Sequence, residues 1–137
     1  MKKTSLKASD GIRKTEVGGE LLRFSFCYFN NDAALCPKIF GEHYTQKLME
    51  RLKELSRWTL KRFTETRSPA VRNHFIAWSE TSRPTGFAHL PQQLREGPAW
   101  QFSISANEYG RVHGLLVGAT FYVVWLDYHH QLYPKAN

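Results

Sequence analysis

Near residue 97 the chain changes the period of its apolar positions. Before that point the clearest pattern is helical. Tyr44, Leu48, Leu52, Leu55 and Thr59 follow one another at spacings of four, four, three and four, and Met49, Leu60 and Phe63 widen the stripe. Glu42 to Phe63 is therefore predicted as an amphipathic helix, with Glu50–Lys53 and Glu54–Arg57 as i,i+3 partners on its polar side. Ser68-Pro69 reads as an N-cap followed by proline at the first helical position, opening a second helix to about Ser79 with Val71, Phe75 and Trp78 on one side. Ser82 to Gly86 reads as a turn, and Phe87 to Leu94 as a further helical turn before Gly97-Pro98.

After residue 97 the period becomes two. Trp100, Phe102 and Ile104 alternate with Gln101, Ser103 and Ser105, the pattern of a half-buried strand. Asn107 to Gly110 interrupts, Arg111 to Val117 is extended, Gly118-Ala119 turns the chain, and Thr120 to Leu126 is nearly all β-branched or aromatic. Such a run suits a central strand covered on both faces. One earlier segment, Leu21 to Phe29, also alternates and is stopped by Asn30-Asn31-Asp32; residues 33–41 read as a linker. The order is β-α-α-β-β-β. It predicts a single α+β domain with helices packed on one face of an antiparallel-dominated sheet over residues 20–137, preceded by a flexible segment, 1–19, with little to bury.

The 137 residues suffice for one core, and 42% hydrophobic with 23% charged content is ordinary for a globular chain. The charge is not ordinary. Net +7 points to an anionic partner, and residues 47–72 concentrate it: Lys47, Arg51, Lys53, Arg57, Lys61, Arg62, Arg67 and Arg72 stand against Glu50, Glu54 and Glu65. This stripe is the footprint of a phosphate backbone, of an acidic protein, or only of a solvated helix face. The 4 Trp, 6 Tyr and 9 Phe residues can build the core or stack on bases. Met1-Lys2-Lys3 is followed by no apolar signal region, and no window reads as a membrane span, so a cytoplasmic location is expected.

The C-terminal stretch carries a resemblance. Gly86-Phe87, Leu90, Trp100 to Ser105, Gly110-Arg111-Val112 and Phe121-Tyr122-Val123-Val124, followed by a His-x-x-Tyr tail, resemble the RelE/ParE superfamily of toxin–antitoxin toxins. The likeness runs over residues 42–134 as an order of elements and is residue-specific only in roughly the last third of the chain. It implies a bacterial toxin that cleaves mRNA as a metal-independent endoribonuclease, with RNA or the ribosome and a cognate antitoxin protein as partners. Two alternatives share the fold: a ParE-like topoisomerase poison, and a non-catalytic nucleic-acid- or protein-binding module. In the resembled toxins the roles fall on an arginine of the middle strand and an aromatic or histidine near the C-terminus. These match Arg111, His129 or His130, and Tyr133. The nucleic-acid-binding candidates are Lys47, Arg51, Arg57, Lys61, Arg62, Arg67 and Arg72.

The chemistry of those residues is consistent with that expectation. RNA cleavage needs the 2′-hydroxyl deprotonated, the phosphate charge stabilised and the leaving 5′-oxygen protonated, which arginine, histidine and tyrosine can supply. With Gly118-Ala119 as a two-residue turn, Arg111 should fall opposite about residue 126, bringing the tail histidines to its end of the sheet. Asp127 could orient a histidine or neutralise Arg111, and His113 shares the face of Arg111. No spacing of His43, His74, His89, His129 and His130 matches a metal signature. Cys27 and Cys36 form no disulfide framework, and there is no glycine-rich phosphate loop, so no cofactor is expected.

Overall fold

A computed structural model of the protein describes residues 19–31, 40–106 and 108–133. The expectations for the segment 1–18, for most of the linker and for the end of the tail lie outside the described residues.

The elements are β1 (Arg23–Ser25), α1 (Tyr44–Leu55), α2 (Leu60–Glu65), β2 (His74–Phe75), a 3-10 turn (Trp78–Glu80), α3 (Gln92–Arg95), β3 (Ala99–Ser103), β4 (Arg111–Val117) and β5 (Thr120–Asp127). They form an α+β fold around one five-stranded sheet in the order β1-β5-β4-β3-β2. The sheet is mixed: β1 runs parallel to β5, and the other three pairings are antiparallel. Both faces are covered, α1 and α2 lying together on one of them and loop residues with Leu94 of the short α3 on the other. Tyr44, Leu48, Leu52 and Leu55 of α1 and Phe63 of α2 share one apolar cluster with Phe102, Val112, Leu116, Phe121 and Val123. On the other side, Ile76, Phe87, Leu90 and Leu132 join Leu115, Val124 and Trp125.

The long predicted helix is two helices. Leu22 donates to Trp58 O and Leu60 to Glu20 O, and Leu21 bridges Thr59, so residues 58–60 are drawn into extended pairing. Thr59 then caps α2 by accepting from Arg62 N at 3.1 Å. The second predicted helix is a correction. Ser68 Oγ accepts from Val71 N as a cap should, but Arg72 takes a left-handed conformation (φ 53°) and the turn ends. Asn73 turns inward, donating to Phe63 O and Thr66 O, and His74–Phe75 pairs with β3. Local capping signals were real; strand pairing outweighed their propagation.

The hairpin β4–β5 follows its expected turn, with one irregularity. Gly114 faces Val123 and His113 faces Trp125, leaving Val124 as the extra residue of a β-bulge. Alternation is thereby reset. Val124 and Trp125 both join the second cluster, Leu126 returns to the first, and Arg111 pairs with Asp127 rather than with residue 126. Among the described residues, no helix is long and apolar enough to cross a membrane.

Candidate anion-binding site

Five short segments converge on a cavity of about 460 Å³ lined by Arg67, Ser68, Pro69, Arg72, His74, Gln101, Arg111, His130 and Tyr133. Arg67 and Arg72 come from the loop after α2, His74 from β2, Gln101 from β3, Arg111 from β4, and His130 and Tyr133 from the tail after β5. Three guanidinium groups, two imidazoles and a phenol around one hollow form a strongly electropositive site. Burial lowers the Arg111 pKa from its ordinary value, Arg72 adding to the effect and Asp127 opposing it.

The backbone is shaped for this convergence. Arg72 and His130, both lining the cavity, are two of three non-glycine residues with positive φ among those described. Such conformations persist only where the surrounding structure enforces them. Gly110 (φ 76°) sits where a Cβ would collide with the carbonyls of Asp127 and Tyr128, so β4 can begin tight against the tail. Asp127 organises the tail itself. Its carboxylate accepts from Gln131 N at 2.8 Å, Leu132 N at 2.9 Å and His113 Nε2 at 3.0 Å. The hydrogen bonds hold its pKa below the usual carboxylate range although burial opposes them. Burial pushes His113 down, its bond to Asp127 notwithstanding, so His113 is a neutral imidazole that donates from Nε2. Asp127 is thus committed to His113 and the tail.

His130 is pushed below its ordinary value by burial and then by Arg111, which favours the neutral, proton-accepting form. Its Nδ1 is buried without a partner. Tyr133 Oη accepts from Ala77 N at 2.7 Å, and burial raises its pKa, keeping the hydroxyl proton in place as a donor.

Of the sequence candidates, Arg111, His130, Tyr133, Arg67 and Arg72 meet in this cavity. His129 stands apart, its ring 5.0 Å from Tyr128 in an edge-on contact, and does not line it. The remaining cations of the stripe have other surroundings. Arg51 donates to Ser103 O, Ala70 O and Glu54, tying α1 to β3 and to the loop after α2. Lys47 pairs with Glu50 at 3.6 Å. Arg62 lies over the Trp58 ring at 3.9 Å. Arg57 lines a second cavity, about 490 Å³, with Glu50, Lys53, Glu54, Trp58 and Arg62. There acids alternate with cations and Arg62 already covers the indole, so the first cavity is the better anion site. Lys61 lies on α2 and lines neither cavity.

His74 and Gln101 are additions that local patterns did not single out. Gln101 Nε2 lies 3.0 Å from His74 Nε2, and the His74 Nδ1 lies 2.8 Å from Phe75 O. Gln101 is buried at 3% exposure although it occupies a position that alternation assigns to solvent. Among the described residues, no group of three or more His, Cys, Asp or Glu side chains is placed to hold a metal ion. In comparisons with known proteins, the chain matches no family model, no curated protein and no solved structure.

Proposed function

We propose that this cavity binds a phosphodiester of RNA and that the protein is a RelE-like endoribonuclease, the toxin of a toxin–antitoxin module acting on mRNA in the cytoplasm. The observation that carries the reading is the meeting of Arg67, Arg72 and Arg111 with His130 and Tyr133 around one hollow. The arginines would hold the nonbridging oxygens, where charge grows as phosphorus becomes five-coordinate. Neutral His130 would take the 2′-hydroxyl proton, and the freed 2′-oxygen would attack phosphorus. The bond from phosphorus to the 5′-oxygen then breaks, and Tyr133 gives that oxygen its proton. The products are a 2′,3′-cyclic phosphate and a free 5′-hydroxyl, with no metal in any step. The antitoxin and the ribosome are the partners this role implies.

The test combines induction in cells with purified protein. Induction should arrest growth, and primer extension should reveal discrete cuts in cellular mRNA. In vitro, cleavage should persist in EDTA and leave cyclic phosphate ends. Arg111→Ala should lower the rate on the order of 10²-fold or more, as expected for a group that stabilises transition-state charge. Tyr133→Phe should cost less. A folded Arg111→Ala, His129→Ala, His130→Ala variant that still cuts RNA and arrests growth would discard the site. Growth arrest with intact mRNA and trapped topoisomerase would favour the ParE-like reading. RNA binding with neither effect would favour a binding module.

A further inference from the structure

A file of polar side chains crosses the sheet at the base of the cavity. His74 on β2 faces Gln101 on β3, Gln101 faces His113 on β4, and His113 bonds to Asp127 at the end of β5. Proton positions follow from the partners. The His74 Nδ1 faces the Phe75 carbonyl and so carries a proton; in neutral His74 the Nε2 is then bare and accepts from Gln101 Nε2. At the other end, Asp127 already accepts two backbone N–H groups, so the proton between it and His113 belongs to His113 Nε2, and His113 Nδ1 is bare. This arrangement leaves two buried acceptors with no donor, Gln101 Oε1 and His113 Nδ1. They belong to residues directly opposite each other across the β3–β4 pairing. An unmet buried polar group carries a desolvation cost.

One proton removes both defects. If His74 is charged on both nitrogens and the Gln101 amide turns over, His74 Nε2 donates to Gln101 Oε1. Gln101 Nε2 then faces His113 Nδ1 across the β3–β4 pair, where acceptor–acceptor repulsion is replaced by attraction and the two side chains close to bonding distance, and His113 Nε2 donates to Asp127 as before. Every bond in the file points the same way, from an imidazolium to a carboxylate, so each polarises the next. The cavity beside His74 already gathers positive charge. Arg67 and Arg72 from the loop after α2 and Arg111 from β4 share it with His74, as do His130 and Tyr133 from the tail; the Tyr133 ring lies edge-on to His74 at 5.7 Å. An anion among the arginines sets a negative charge beside His74 and favours its protonated form.

We propose that an anion binds in this cavity together with a proton, taken up by His74 and relayed through a flip of Gln101 onto the His113–Asp127 pair. The bound form thus has four cationic side chains around the anion, and affinity rises as pH falls. This rests on the cavity being an anion site, the first part of the functional reading, and not on RNA cleavage.

The experiment uses sulfate, which does not titrate near neutral pH, with the full chain and NMR of the histidine rings from pH 5 to 8. Saturating sulfate should move the His74 midpoint upward by about one pH unit or more, while sulfate affinity strengthens by up to about tenfold for each unit that the pH falls between the bound and the free midpoint. His74→Asn should remove most of that pH dependence yet leave a weak site built by the arginines. Gln101→Leu, which cannot relay, should shrink the His74 displacement. An unmoved His74, a displacement seen only at His130, or a full displacement in folded Gln101→Leu would overturn the relay. Proton uptake with sulfate in a protein that never cuts RNA would leave the inference standing and remove the nuclease reading. Cleavage with pH-indifferent sulfate binding would do the reverse, and a protein that binds no anion would lose both.

Discussion

His113 and Asp127, 14 residues apart in sequence, meet as a buried hydrogen-bonded pair with Nε2 and Oδ2 3.0 Å apart. Neither lines the cavity. The carboxylate reaches past His113 to the backbone of Gln131 and Leu132, so the pair fixes the turn from which His130 and Tyr133 project. Removing one partner leaves the other buried and unmatched. Asp127→Ala strands three N–H donors, those of His113, Gln131 and Leu132, and at about 1–3 kcal/mol for each one buried it should destabilise the fold by about 3 kcal/mol or more. Urea unfolding monitored by tryptophan fluorescence measures this directly.

The same pair makes the fold acid-sensitive. Both groups bind protons less readily folded than unfolded, because the pKa of each is lowered. The unfolded chain therefore takes up more protons as pH falls, and stability declines with it. The His113 contribution should begin to fade below its ordinary value of 6.5 and the Asp127 contribution below 3.8. Melting temperature should fall steadily from pH 7 to pH 5. A melting temperature that rises over that interval would contradict a neutral buried His113.

Gly110→Ala should cost more than an ordinary surface change. The new methyl group meets two carbonyls and the backbone sits at φ 76°. A loss of about 3 kcal/mol or more is expected, from strain and collision together. Thermal unfolding of Gly110→Ala beside Gly118→Ala separates the causes, since Gly118 has positive φ (59°) but open space around it. Gly118→Ala should be the milder change.

Asn73→Ala tests why the predicted second helix stops. Its side chain receives Ser68 N and donates to Phe63 O and Thr66 O. Truncation strands those groups, for about 1–3 kcal/mol. It should also loosen the loop that carries Arg67 and Arg72, visible as faster amide exchange at residues 66–72.

Binding to single-stranded RNA should separate the cavity arginines from the rest of the stripe. For each phosphate that a variant no longer neutralises, the slope of log affinity against log salt should fall by about 0.7. Arg67→Ala and Arg72→Ala should each show that smaller slope. Arg51→Ala should instead lower the melting temperature, because its guanidinium joins α1 to the Ser103 and Ala70 carbonyls. Equal salt slopes for all three would remove the distinction.

The hairpin was legible because its signals are local: β-branched and aromatic runs bounded by Gly110 and Gly118-Ala119 decide strand and turn without distant help. Arg111, His130 and Tyr133 were legible for the same reason, since a two-residue turn determines which ends meet. The break after Leu55 was not, because it depends on residues 20–22 pairing with residues 58–60. His74 was hidden by an apparent helix; its place beside Gln101 comes from strand pairing across 27 positions. Arg67 and Arg72 were visible as charge but not as walls of a site, because the reversal at Arg72 has no glycine to announce it.

The bulge at Val124 decides more than the shape of one strand. In a strictly pleated strand, Trp125 and Asp127 would turn toward the helices and Leu126 would take the place beside His113. A core would gain a carboxylate it cannot match, and the cavity would lose the anchor of its tail. The side of the sheet on which this molecule keeps its polar machinery is thus a matter of odd and even: one uncounted step along a strand, with no change in any side chain, assigns the two faces their trades.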